Sequence, residues 1–299
     1  MALSELNKIP IVQICFYVPS LFIAVLLSWR HGFGRSSGWL YLVIFSLTRI
    51  MGGAFELATI HDRDNVSLFV GAQTLQSIGL SPLLLTMLGL MTRVYLSLAE
   101  QRRPAMPNLR SLHVTQVLVV VGLILSIVGG TKMGSQIGDA VSKGGPLTYT
   151  VSGETKGGVG CMIGGFVLLL LSGLLLATRV GDVPAGEKRL LAAIAVAVPF
   201  VFVRLLYAIL AAFDTADANF RIYNSGPHYA KYLLVMCTIM EIVAVVVFEA
   251  VGLSLVYVSR RQRVSQQAAM SDSSQTHTLA TYPDSSYQAS GFQLQKQPV

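Results

Sequence analysis

Apolar residues in this chain gather into seven long blocks, at residues 10–29, 38–58, 67–92, 113–130, 157–178, 190–213 and 230–258. Within each block they are nearly continuous, with neither the strict alternation of a half-buried strand nor the single stripe of a surface helix. Runs of about 18 residues or more are long enough to cross the hydrocarbon layer as helices. In lipid the backbone must satisfy its own polar groups, which favours helices over open strands. The pattern therefore predicts an all-α, polytopic integral membrane protein built as a seven-helix bundle.

The breaks between blocks are polar. The longest, residues 131–156, is rich in Gly, Ser and Thr and reads as a linker. Residues 264–299 contain much Ser, Gln, Thr and Ala and few apolar side chains, and are expected to form a disordered cytosolic tail. The tail hydroxyls Ser271, Ser273, Ser274 and Thr276 could accept phosphate. The first eight residues include Glu5 and Lys8 and form no basic leader, so the first block is expected to stay as an uncleaved anchor.

Lysine and arginine collect in the cytosolic loops of membrane proteins. One set of breaks holds Arg30, Arg35, Arg93, Arg102, Arg103, Arg110, Arg179, Lys188, Arg189, Arg260, Arg261, Arg263 and Lys296. The other holds only Lys8, Arg63, Lys132, Lys143, Lys156 and Arg221. Thirteen against six predicts an N-terminus outside or in a lumen and a C-terminus in the cytosol, at the plasma membrane or an endomembrane. Trp29 and Trp39 flank the first cytosolic break, where aromatic anchors belong. The glycosylation sequon Asn65-Val66-Ser67 falls in an outside loop, making Asn65 a candidate acceptor beside the third helix.

Composition agrees with this reading. Of 299 residues, 53% are hydrophobic and 12% charged, and the mean hydropathy is +0.61. Soluble domains carry about 25% charged residues. The net charge of +7 follows from the loop bias, so the expected partner is the lipid bilayer and not nucleic acid. Cys15, Cys161 and Cys237 all lie in apolar blocks without a CxxC spacing, and read as buried packing thiols rather than a disulfide or zinc framework.

The candidate chemistry lies in charges inside the spans: Arg49 and Glu56 in the second block, Arg204 in the sixth, Glu241 and Glu249 in the seventh. Each costs about 2.5–3.5 kcal/mol or more at the bilayer centre, so such residues face the bundle interior and pair. They are expected to form a polar network that is structural or ligand-binding. Arg49 and Glu56 are two turns apart and share a face, with Gly52 and Gly53 between them for close helix approach. Arg204 and Glu241 lie at one depth on successive helices, each roughly 4 Å beyond the span midpoint, and are expected to pair. Arg49, at nearly the same depth, is the rival partner for Glu241. Gln73 and Gln76 add polarity to the outer half of the third block, and Pro82 is expected to kink it. Gly160 and Gly164 form a GxxxG expected to pack against a neighbouring helix.

Known site types do not fit the pattern. A retinal-type Schiff base needs a lysine deep in a helix, and Lys231 sits in the first turn of its block. A haem between helices needs opposed mid-span histidines, and His31, His61, His113, His228 and His277 are all elsewhere. His61, Asp62 and Asp64 lie in a loop, and no HxxxH accompanies them. Thr92-Arg93-Val94-Tyr95 only faintly echoes the third-helix signature of G-protein-coupled receptors. A Walker motif is absent. No cofactor or metal is expected.

Three stretches do carry a resemblance. They are Arg30-His31-Gly32-Phe33-Gly34-Arg35-Ser36-Ser37-Gly38-Trp39, then Leu57-Ala58-Thr59-Ile60, then Ile78-Gly79-Leu80-Ser81-Pro82-Leu83-Leu84-Leu85 followed by Gly89-Leu90. The chain resembles, over roughly residues 10 to 260, an ascomycete fungal family of seven-helix membrane proteins catalogued as a domain of unknown function. The resemblance implies a fungal source and the seven-helix fold, and supplies no reaction. A looser likeness to fungal lipid-exporter-like and rhodopsin-like proteins rests on helix count alone.

Two classes of function remain. The lack of catalytic signatures favours a non-enzymatic membrane protein, receptor-like, transporter-like or scaffold, for which a small apolar ligand is a candidate partner. The alternative is an intramembrane enzyme acting on a polyprenyl or lipid-like substrate, with Glu56, Glu241 or Glu249 as a buried general acid, as membrane-embedded terpene cyclases illustrate at family level. An ion-paired carboxylate would fit the first class; an unpaired glutamate at a cavity would fit the second.

Overall fold

A computed structural model describes residues 5–31, 37–62, 65–100, 109–143, 151–179, 181, 185–213 and 228–255. The tail at 264–299 with its candidate phosphorylation sites, and the loop arginines Arg35, Arg63, Arg102, Arg103 and Arg221, lie outside the described residues. The helices are α1 (Glu5–His31), α2 (Ser37–His61), α3 (Val66–Ile78), α4 (Leu80–Glu100), α5 (Leu109–Ser142), α6 (Gly153–Ala177), α7 (Ala185–Phe213) and α8 (Tyr229–Leu255). Together α3 and α4 make one span, Val66–Ala99, so among the described residues seven helical spans are long and apolar enough to cross a membrane. The protein is an integral membrane seven-helix bundle.

The third span is the axle of the bundle. Leu80–Met91 is buried without interruption, and α4 touches α2, α5, α6 and α7. The other spans bury about a third of their residues and turn large apolar side chains outward, among them Phe22, Trp29, Val117 and Leu174. That division explains the unbroken hydrophobicity of every block: peripheral helices are apolar toward lipid and protein alike, and the central helix is apolar all round.

Three expectations about helix ends and faces need correction. The span predicted at 113–130 is far longer. As α5 it runs 34 residues, about 51 Å at 1.5 Å per residue, against a hydrocarbon layer of about 30 Å. Much of the break predicted at 131–156 is therefore helix. The cause is a row of glycines, Gly130, Gly134 and Gly138, one turn apart on one face of α5 and laid against Thr74, Val70 and Val66 of α3. A Cβ at Gly134 would stand 2.5 Å from the Val70 Cα, so only glycine permits this approach. Trp39 is fully buried, packed where Gly252 of α8 leaves room for its ring, and is no interfacial anchor; Trp29 is exposed. In the predicted GxxxG, Gly164 does meet Leu118 of α5 but Gly160 faces open space; Gly158 and Gly165 meet Gly122 and Val119 of the same helix.

These glycines give a paired expectation. Gly134→Val should lower thermal stability by about 1–3 kcal/mol, the usual cost of forcing extra carbon into a packed contact. Gly160→Val, with nothing within 4 Å of its added Cβ, should change it little. Thermal unfolding of both variants in one detergent checks this, and equal effects would refute the α3–α5 contact.

Candidate functional site: a buried ion triad under a cavity

The innermost polar groups come from five of the seven spans. Glu241 of α8 is fully buried, and its Oε1 accepts from Arg204 Nε of α7 at 2.6 Å and from Arg49 Nη2 of α2. Arg49 Nη1 also donates to Gln76 Oε1 of α3 at 2.9 Å. The Cys237 thiol, one turn before Glu241, lies 3.8 Å from the same carboxylate oxygen, and Gln76 Nε2 points at its sulfur from 3.9 Å. Alongside, Gln13 Nε2 of α1 donates to Thr238 Oγ1 at 3.1 Å. The structure thus joins Arg204 to Glu241, the pair expected from matched depth, and joins the rival Arg49 to the same oxygen.

Local structure makes room for this convergence. Pro82 has no N–H to offer the carbonyl of Ile78, and the third span breaks at Gly79 between α3 and α4. The Arg49 guanidinium lies against Gly79, so close that a Cβ there would overlap it. In α8, Leu233–Ile239 form a π-helical segment ending just before Glu241. Such wide turns concentrate at functional sites, because they turn side chains away from the faces a regular helix would give them. Aromatic rings line the two arginines: Phe45 lies 5.5 Å from the Arg49 guanidinium, and Tyr207 lies 5.8 Å from that of Arg204. Tyr17 packs edge-on against Phe45 at 5.6 Å.

The triad is unbalanced. Two guanidinium groups share one carboxylate, so one positive charge is in excess at a place almost closed to solvent. The exposures are 1% for Arg49, 5% for Arg204 and 0% for Glu241. Some polar atoms are also unsatisfied: Glu241 Oε2, Arg49 Nε and the Tyr17 hydroxyl are buried without a hydrogen-bond partner among the described residues.

Glu56 and Glu249 do not join the triad. Glu56 is two turns along α2 and lines a cavity of about 90 Å³ with Gln73, Gln76 and Tyr229. Glu249 lies two turns beyond Glu241, where its Oε1 accepts from Ser20 Oγ at 2.6 Å, and Ser20 lies 3.3 Å from Ser46. That group ties α1, α2 and α8 together. Asn65 acts as the N-cap of α3, with Oδ1 accepting from the Ser67 N–H at 3.2 Å. Cys237 is buried as expected, but Cys15 is exposed on the outer surface of the bundle and Cys161 half-exposed. Arg93 pairs with Glu187 of α7 at 3.2 Å, and Lys132 pairs with Glu154 across the α5–α6 connection.

Above the triad, toward the face where α1 begins, lies a cavity of about 110 Å³. Along their helices, Arg204, Leu80 and Met162 are lining residues far from that face, and Thr155, Ala212 and Tyr229 lie near it. From Arg204 to Ala212 is eight residues, a depth of about 12 Å. Gln73, Gln76, Tyr229 and Leu233 are common to both cavities.

The family pattern described as a domain of unknown function, DUF7702, matches residues 3–258, nearly the whole chain up to the end of α8. The chain belongs to this family. The matched segment coincides with the helical bundle, so the triad and both cavities lie in the family's own domain. No curated protein and no solved structure matches the chain.

The polar residues that sequence reasoning passed over in α1 had a signal. Gln13, Tyr17 and Ser20 recur at helical spacing in an otherwise apolar block, and all three are buried. Thr238 and the π-helical turn had none that composition reveals.

Proposed function

We propose that this protein is a non-enzymatic, receptor-like or transporter-like membrane protein that takes a small ligand into the cavity above the triad. The observation that carries this reading is a cavity with Arg204, a buried and charge-unbalanced arginine, in its floor. Intramembrane charges of this kind mark ligand and ion sites. The lysine and arginine bias supports an N-terminus outside or lumenal and a C-terminus in the cytosol, which puts the cavity in the half of the bundle away from the cytosol. The resemblance of the first three helices supports a fungal source.

The enzymatic alternative is weaker on chemistry. Glu241 Oε1 is engaged by two guanidiniums, and Glu241 is not among the described residues that line either cavity. Glu249 is engaged by Ser20. Glu56 has a cavity, but at about 90 Å³ it is too small for a polyprenyl chain.

The test is access to the cavity. Ala211 lines it, and in a background lacking Cys15 and Cys161, Ala211→Cys should react with a membrane-impermeant maleimide added from the N-terminal side. Adding Ala208→Phe, which fills the same space, should slow that reaction at least roughly tenfold. An unreactive Ala211→Cys, or one labelled only from the C-terminal side, would end this reading.

A further inference from the structure

We propose that the cavity above the triad is a binding site for a short-chain monocarboxylate, with Arg204 as its anchor. This rests on the cavity reading above and adds the chemical class of the occupant. An unpaired charge in a low-dielectric interior is costly, and such charges are normally paired or hydrogen-bonded. Here Arg49 and Arg204 share one carboxylate oxygen, leaving one positive charge unmatched among the described residues. Glu56, the next carboxylate along α2, is two turns from Arg49, about 10 Å along the axis, whereas both arginines have their salt bridges with Glu241.

The geometry says where an anion would go. Arg204 uses Nε on Glu241 and lines the cavity, and its two Nη groups have no acceptor among the described residues. Guanidinium edges recognise carboxylates through paired N–H donors. The Gln76, Ser77 and Ser126 side chains add polar groups to the lining, while Leu80, Met162 and Val159 supply apolar wall for a short hydrocarbon body. At about 110 Å³ the space suits an acid of a few carbons and excludes a lipid tail.

Butyrate serves as the probe, with butyramide as its uncharged isostere and chloride as a bare anion. Each is titrated at constant ionic strength against the full chain in lipid nanodiscs, with binding read calorimetrically and by thermal shift. Butyrate should bind at least roughly tenfold more tightly than butyramide, the factor expected for a charge-assisted hydrogen bond over a neutral one. Chloride should be weaker than butyrate, since it cannot take two parallel N–H bonds. Arg204→Gln should abolish the preference of butyrate over butyramide. Ala208→Phe, which leaves the triad untouched, should abolish binding of both while the protein stays folded.

Equal affinity for butyrate and butyramide would overturn the inference, as would chloride binding as tightly as butyrate, or no binding of butyrate at all. If any of these occurs while Ala211→Cys still labels from the N-terminal side, the inference alone has failed. If that labelling fails too, the cavity reading goes with it.

Discussion

Glu241→Leu is expected to cost this protein most of its folded yield, because it strands two buried guanidiniums at once. Removing one partner of a buried pair costs about 3–5 kcal/mol, and whole domains are stable by only about 5–15 kcal/mol. Arg204 Nε and Arg49 Nη2 would both lose their acceptor, and among the described residues no other acidic residue pairs with either of them. Arg204→Leu should behave differently. It leaves Arg49 and Glu241 as a balanced one-to-one pair, so the folded yield should stay near that of the unaltered chain. This reverses what a simple Arg204–Glu241 pair would predict, since there either single change orphans a charge. Replacing all three with leucine should restore much of the stability lost in Glu241→Leu, because apolar replacement of a buried ionic group is often neutral or better. Size-exclusion profiles and thermal unfolding in one detergent check the series. Equal damage from Glu241→Leu and Arg204→Leu would show that the shared carboxylate does not organise the site.

Gly79→Ala is the second change with a large expected effect, although it adds a single methyl group. The new Cβ would overlap the Arg49 guanidinium, with its Nε still only 2.9 Å away. Arg49 would have to leave the break between α3 and α4, losing its bonds to Gln76 and Glu241 together. The expected loss is about 3 kcal/mol or more, comparable to breaking a buried pair. Adding Arg49→Leu to Gly79→Ala should cost little further, because the arginine is already displaced. A double-mutant cycle measures this, and simple additivity of the two changes would refute the contact.

Depth in the membrane was readable from the chain because it is linear in residue number: 1.5 Å per residue places each charge along its helix. That is why Arg204 and Glu241 could be matched in advance, and why Arg49 stood out as the rival. Rotation about the helix axis was not readable in the same way. In water an amphipathic stripe declares the buried face, but in lipid both faces are apolar and the stripe vanishes. The charged residues themselves were the best rotational markers, together with the buried series Gln13, Tyr17 and Ser20 on α1.

The sequence alone therefore determined the class of the protein, its seven spans and the residues that had to be buried as charges. These follow from hydrocarbon thickness and the cost of charge in lipid, which act on each segment independently. Only the tertiary structure decided that one carboxylate serves two arginines, that Glu56 stands apart, and that Trp39 is core rather than anchor. It also decided that glycines carry α5 well past the bilayer thickness along α3, and that a π-helical turn precedes Glu241. Each of these depends on which helix faces which and at what rotation, and that is set by close packing among all seven helices at once.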